Sequence, residues 1–268
     1  MLALEDDFTY VLRKALTGHA LTAAEAAAQA GLPANDVQAF LQGTFSAVTA
    51  RKLAAVLRLN AEAFVRHAGY LPRPLALAGI ARLDLPFGTE QVNAWLVRAS
   101  GACILFDGGY APRDLIRAME TLGAHLPDRV MITHAHHDHV GALAHFLKAG
   151  LPVHAAGIPG TLPMNPGDTV CCGPLTIRAC DLSGHAVPAL GFHVDGLAQP
   201  VLVTGDALFA GSMGGCGSPA IYQHALERLR GVLDPLTDST VVLPGHGPAT
   251  TLGEERTANP FLNGNDHW

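Results

Sequence analysis

Two kinds of hydrophobic patterning divide the chain. Up to residue 70 the apolar residues recur at helical spacing, and from residue 79 they gather into short runs bounded by Gly and Pro. In the first part, Thr22-Ala23-Ala24-Glu25 is a capping box and predicts a helix that Gly31 closes. Pro33 starts a second helix, with Val37, Phe40 and Leu41 on one face. Thr49 is expected to cap a third through Leu53, Val56 and Leu57, and a fourth lies near 61–67. The Pro-rich stretch Gly69-Tyr70-Leu71-Pro72-Arg73-Pro74 reads as a linker. In the second part, 94–97 and 102–106 are strand-like and flank Ser100-Gly101, a hairpin signal. Residues 112–122 predict an amphipathic helix with Pro at its start, 129–132 a buried strand and 140–147 a helix. Further strands are expected at 175–177, 191–194, 201–203 and 240–243. The organisation read from this pattern is a helical module over 1–70, a linker over 71–78 and a mixed body over 79–268. The pattern alone gives α/β or α+β, with two packed sheets and helices outside.

Composition adds exclusions. The chain has 268 residues, 49% of them hydrophobic and 15% charged, with a net charge of −6. That balance argues against a general binder of nucleic acid or anionic membranes. Five cysteines without a CxxC pair do not make a disulfide framework, and Cys171-Cys172 are expected to pack as small apolar residues. The acidic start, Met1 through Asp7, is not a signal peptide, and no apolar run approaches a membrane span, so a cytoplasmic protein is expected. The helical module resembles a helix-turn-helix unit of the phage-repressor type. Its presumed recognition helix, 33–42, has no Arg or Lys. Over 1–70, Arg13, Lys14, Arg51, Lys52, Arg58 and Arg66 balance Glu5, Asp6, Asp7, Glu25, Asp36 and Glu62. A neutral module is a poor footprint for phosphate. It is read as a homodimerisation element or a cover over the mouth of an active site.

The candidate chemistry centres on Thr133-His134-Ala135-His136-His137-Asp138-His139. Four side chains of metal-ligand type lie within six positions, between a strand and a helix. Imidazole and carboxylate suit zinc, iron or manganese, and a tight loop can aim several at one point. Later in the chain, Ser183-Gly184-His185 offers a lone histidine, Thr204-Gly205-Asp206 a carboxylate at the end of a buried strand, and Pro244-Gly245-His246-Gly247-Pro248 another histidine.

The His-x-His-x-Asp-His pattern at 134–139 resembles the signature of the metallo-β-lactamase fold superfamily, and the later residues fall where that resemblance asks for them. The resemblance covers residue 79 to the end and implies the four-layer αβ/βα sandwich. It also implies a dinuclear site: His134, His136 and His185 on one metal, Asp138, His139 and His246 on the other, with Asp206 bridging. Two divalent ions, zinc first among the candidates, would then supply a bridging hydroxide as nucleophile, and Asp138 would orient it or carry a proton to the leaving group. His137, His145, His154, His193 and His224 are read as core or surface residues.

Within the superfamily, the segments 204–212 and 244–255, together with Asn259-Pro260-Phe261-Leu262, are similar to glyoxalase II-like hydroxyacylglutathione hydrolases. That similarity implies hydrolysis of a small-molecule thioester or related ester. Quorum-sensing lactonases share the ligands but place a tyrosine where Leu208-Phe209 stand here, and zinc β-lactamases lack the aspartate bridge. Two alternatives stay open: a mononuclear iron persulfide dioxygenase on a His-His-Asp subset, and a ligand-sensing regulator built on the helical module.

Overall fold

The computed structural model describes residues 3–124 and 126–262. Met1 and Leu2 of the acidic start lie outside the described residues. Five helices come first: α1 (Phe8–Gly18), α2 (Ala23–Gln29), α3 (Ala34–Leu41), α4 (Ala47–Val56) and α5 (Ala61–Arg66). Side-chain caps fix several starts. Asp7 accepts from the backbone N–H groups of Thr9 and Tyr10, Thr22 and Glu25 form the reciprocal capping box, and Asn60 caps α5. α4 begins earlier than expected. Its cap is Ser46, which accepts from the N–H of Thr49, and Thr49 itself is buried in the first turn. α1 has no place in the pattern read above; its signal is Asp7 ahead of Val11, Leu12, Ala15 and Leu16, all buried.

The body holds two six-stranded sheets. The first is β1 (Ile80–Phe87), β2 (Glu90–Ala99), β3 (Ala102–Phe106), β4 (Arg129–Met131), β5 (Val153–Ala155) and β6 (Leu162–Pro163), in that spatial order. β1–β2–β3 is an antiparallel meander, and the remaining pairs are parallel. The β2–β3 turn puts Ser100 and Gly101 at φ +44° and +88°, the two left-handed residues a tight hairpin turn needs. The crossovers from β3 onward carry α6 (Pro112–Thr121), α7 (His137–Val140) and α8 (Leu143–Lys148).

The second sheet contains β7 (Thr169–Cys172), β8 (Leu175–Asp181), β9 (Leu190–Asp195) and β10 (Val201–Gly205). A small hairpin, β11 (Leu208–Phe209) and β12 (Ser212–Met213), leads into α9 (Pro219–Leu233). Then come β13 (Val241–Pro244), β14 (Thr250–Thr251) and α10 (Leu252–Ala258). The spatial order is β14-β13-β10-β9-β8-β7. Cys171 is exposed on the β7 edge strand, contrary to the expectation that it packs inside.

Period-two alternation sorts the strands into layers. On β2, Val92, Ala94 and Leu96 pack outward against Leu115 and Met119 of α6 and Phe146 of α8, while Trp95 and Val97 face the other sheet. On β10 and β13, Val201, Val203, Val241 and Leu243 face inward, and Leu202 and Val242 face outward. The result is helix, sheet, sheet, helix. The outward face of the second sheet is shared. Leu202, Val242, Leu229 and Leu233 join one continuous core with Leu12, Phe40, Leu53 and Phe64 of the N-terminal helices. That module is therefore packed onto the body through the same apolar cluster that α9 uses.

Candidate metal centre

All seven residues singled out from the sequence meet at one end of the sandwich, where strands of both sheets stop. His134 and His136 lie on the loop leaving β4, and Asp138 and His139 on the single turn of α7. His185 follows β8, Asp206 follows β10 and His246 follows β13. The ligand atoms of His134, His136, His185 and Asp206 lie within 4.8 Å of one another, as do those of Asp138, His139 and His246. Asp206 stands between the two groups. Its Oδ2 is 3.5 Å from His185 Nε2 and 3.4 Å from His246 Nε2, and its Oδ1 is 3.3 Å from His139 Nε2. The Asp138–His139–His246 half is buried, whereas His136 is exposed and His185 half-buried, so the centre opens to solvent on the His136–His185 side.

Each inward-facing nitrogen is fixed by what the opposite side of the ring touches. His139 Nδ1 donates to Asp107 Oδ2 at 2.9 Å, His246 Nδ1 to the Gln91 carbonyl at 2.8 Å and His185 Nδ1 to the Gly215 carbonyl at 3.1 Å. His134 Nδ1 meets Thr133 Oγ1 at 2.9 Å, and that hydroxyl donates to Asp107 Oδ2. These contacts select the tautomer that turns Nε2 toward the centre. His136 presents Nδ1 instead, 3.1 Å from His134 Nε2 and 3.0 Å from His185 Nε2. Asp107 is a functional residue that the sequence pattern does not single out. Its signal was there in Asp107-Gly108-Gly109. Asp107 sits at φ +62°, and the N–H of Gly108 reaches the His139 carbonyl at 2.7 Å.

Three glycines in the motifs are there for close approach. A Cβ on Gly245 would lie 2.2 Å from Asp206 Oδ1 and 2.7 Å from His139 Cε1. One on Gly205 would meet Thr133 Oγ1 at 2.7 Å, and one on Gly141 the Tyr110 carbonyl oxygen at 1.9 Å. Asn93 ties the His246 loop down by donating through Nδ2 to the carbonyls of Pro244 and Gly247. His137 turns away from the centre, against the rings of Phe87 and Tyr110, as expected of it.

Electrostatics separates the histidines. Burial, reinforced by neighbouring His139, holds His134 down to about 2, so its ring is neutral. Burial also disfavours charge on His139, but Asp206 and Asp107 outweigh it and push the ring up to about 10. For His246 burial is likewise outweighed, by Asp138 and Asp206, and the ring rises to about 11. Asp206 lies well below the usual carboxylate range because His139 and His246 overcome its burial. The carboxylates thus pull positive charge to the focus.

The donor set fits divalent metal. His139 Nε2 and Asp206 Oδ1 are 3.3 Å apart and fully buried, yet among the described residues neither has a hydrogen-bond partner. Buried polar atoms rarely stay orphaned. Here they point at a common space with the other inward nitrogens, and a cation there satisfies them all while displacing any proton the carboxylates attract. Imidazole and carboxylate together suit zinc, iron and manganese.

Comparison with known proteins agrees with this geometry. Residues 87–173 match the metallo-beta-lactamase superfamily. Hydroxyacylglutathione hydrolase GloC of Haemophilus influenzae is 32% identical over 208 residues, covering 67% of this chain and 96% of the relative. Among solved structures, TTHA1623 in a di-iron-bound form is 33% identical with a TM-score of 0.54, covering 67% of this chain and 99% of that one. The BLEG-1 B3 metallo-beta-lactamase is 27% identical with a TM-score of 0.58, covering 69% and 100%. Fold and site together define a metallo-hydrolase. The chain belongs to the metallo-β-lactamase superfamily, and its relatives include hydroxyacylglutathione hydrolases. Among the described residues, no helix is long and apolar enough to cross a membrane.

Proposed function

We propose that this chain is a binuclear hydrolase of a small-molecule thioester or related ester. His134, His136 and His185 hold one divalent ion, Asp138, His139 and His246 the other, and Asp206 lies between them. The observation that carries the reading is the pair of orphaned buried atoms, His139 Nε2 and Asp206 Oδ1, at the meeting point of two donor groups. Divalent ions bound there supply a Lewis acid and bring the ionisation of water near neutral pH. Zinc is the first candidate; the di-iron form of TTHA1623 supports iron as a second.

The rest of the chemistry falls to the protein. Asp138 keeps Oδ2 against His246 Nε2 at 3.3 Å, and its other oxygen orients the attacking water and takes its proton. The acyl carbon gains that oxygen as the C–S bond breaks, and the departing thiolate recovers the proton. The open His136–His185 side admits the acyl group, while the buried side excludes solvent behind Asp206. The thioester assignment rests on the relationship to GloC.

The test is metal content followed by thiol release. The purified chain is expected to carry about two zinc or iron ions and to release thiol from S-lactoylglutathione or a simpler acyl thioester. Two ions with no thiol release from any thioester, but turnover of oxygen esters, would move the substrate class. Oxygen consumption with a persulfide, by a single iron, would replace the hydrolase reading.

A further inference from the structure

About a third of this chain has no counterpart in GloC, which nevertheless aligns over 96% of its own length. The N-terminal helices belong to a segment ahead of the superfamily match, and they reach the stretch of chain beside the metal centre. Lys14 of α1 pairs with Asp6 and donates to the Met213 carbonyl at 2.9 Å. Asp6 in turn accepts from the buried Ser212 hydroxyl. Both partners are largely withdrawn from solvent, with side chains 18% and 5% exposed. Their target is the strap 212–216, which wraps the outside of the centre. A Cβ on Gly214 would lie 1.9 Å from the Asp206 carbonyl oxygen and 2.8 Å from His185 Cβ, so the strap runs against two metal-ligand residues. One residue on, the Gly215 carbonyl accepts from His185 Nδ1, and the Lys14 stem lies 3.9 Å from where a Cβ on Gly215 would be. The Lys14 ammonium also stands over the Phe209 ring, 5.2 Å from its centroid, and that ring packs edge-on to His246.

We propose that the Asp6–Lys14 pair positions the metal centre, clamping the strap 212–216 so that the Gly215 carbonyl holds the His185 ring with Nε2 facing its fellow ligands. This assignment rests on the dinuclear reading above. The N-terminal module is then one wall of the active site. Of the histidines whose Nδ1 is held by a partner, His185 is the most exposed, and its ring orientation is set by a strap rather than by a strand or a buried carboxylate, so it is the ligand that needs outside support. The Asp138–His139–His246 half draws its hydrogen-bond support from Asp107 and Gln91, and Lys14 reaches it indirectly, through the Phe209 ring, rather than through a carbonyl that holds a ligand ring.

The test compares Lys14→Met with the wild-type chain and with Lys52→Met, which removes a lysine of the same module whose bond among the described residues is to the Gly31 carbonyl. Each 268-residue chain is stripped with chelator and titrated with Co(II), whose absorption reports coordination, and with Zn(II). Lys14→Met is expected to bind its first ion as the wild type does and its second about tenfold more weakly, the lower end of what lost ligand support costs. Lys52→Met should match the wild type. A purely structural role would lower the melting temperature and leave the ratio of the two affinities unchanged, and that result overturns the proposal. If Lys14→Met does not fold, Ser212→Ala, which deletes a single hydroxyl from the same clamp, is read by the same criterion. Wild-type protein that binds no divalent ion would sink the dinuclear reading itself; two ions in all three proteins with equal affinities would sink only the positioning role.

Discussion

Asp107 Oδ2 lies 2.9 Å from His139 Nδ1, and the same carboxylate accepts both the N–H and the hydroxyl of Thr133, at 2.8 and 2.9 Å. Because that hydroxyl also meets His134 Nδ1, one buried aspartate sets the ring orientation of a histidine in each ligand group. Asp107→Asn is the sharpest probe. Asparagine tolerates the left-handed backbone, so the loop survives. An amide facing three donors sets its own NH₂ against one of them in one flip and against two in the other. The expected result is a 10- to 100-fold loss of affinity for both ions, read by chelator competition. Wild-type affinity in this variant would remove Asp107 from the centre.

Gly245→Ala should damage the site by crowding alone. The new methyl would fall on Asp206 Oδ1 and the His139 ring, both immobile in the core. Overpacking of this kind costs about 1–3 kcal/mol, and stoichiometric metal binding should be lost with it. Gly217→Ala, where no atom of the described residues lies within 4 Å of the new Cβ, is the control and should leave both properties unchanged.

Asp206→Asn removes the charge between the two groups while keeping the side chain's shape. Two dications close together need an anion between them, so metal content should fall from about two to one or fewer. The rate should drop by at least about 10²-fold, the equivalent of roughly 3 kcal/mol of transition-state stabilisation. Metal analysis and kcat on one preparation decide it; two ions at wild-type turnover would end the dinuclear proposal.

A pH effect is expected away from the metals. Glu255 is wholly buried and takes four donors: Tyr70 Oη and Thr250 Oγ1 on Oε1, the Gly211 N–H and Asn259 Nδ2 on Oε2. Burial outweighs those donors and pushes its carboxyl up to about 7. An acid whose folded pKa is raised binds more protons folded than unfolded between its unfolded value near 4.3 and pH 7. The contribution of Glu255 to stability must therefore fall as pH rises through that window and level off above it. Glu255→Gln has no proton to lose, and its amide can donate to the two hydroxyls while its oxygen serves Gly211 and Asn259. The stability of Glu255→Gln relative to wild type, from urea unfolding at each pH, should rise by about 3 kcal/mol between pH 4.5 and 7.5. Parallel curves would show that Glu255 is ionised throughout.

The seven side chains that meet at the centre were legible in the sequence because the four at 134–139 and each of the three later ones follow an apolar run that ends in Gly or a small residue, and strand ends in this architecture converge. The β2–β3 hairpin was legible in Ser100-Gly101, and α2 in its capping box. Asp107 was not, since a lone Asp-Gly-Gly after a strand is also ordinary turn chemistry, and only the fold brings it to His139. The start of α4 was misplaced because Ser46 and Thr49 are both acceptable caps, and the choice went to the residue that let Thr49 be buried. Lys14 reads as one of six module cations in the sequence; its partner at Met213 is 199 residues away.

The seven side chains are divided between the sheets: His134, His136, Asp138 and His139 depend from the end of β4 in the first, and His185, Asp206 and His246 from β8, β10 and β13 in the second. Bound ions would rivet the sandwich shut at that end, across an interior where Phe106 and Phe192 meet at 5.6 Å. The spacing of the two halves is then a gauge of how that interior is filled. A substitution deep between the sheets that leaves every strand intact can still spread or narrow the rivet, and it would register first as a change in which metal the protein prefers.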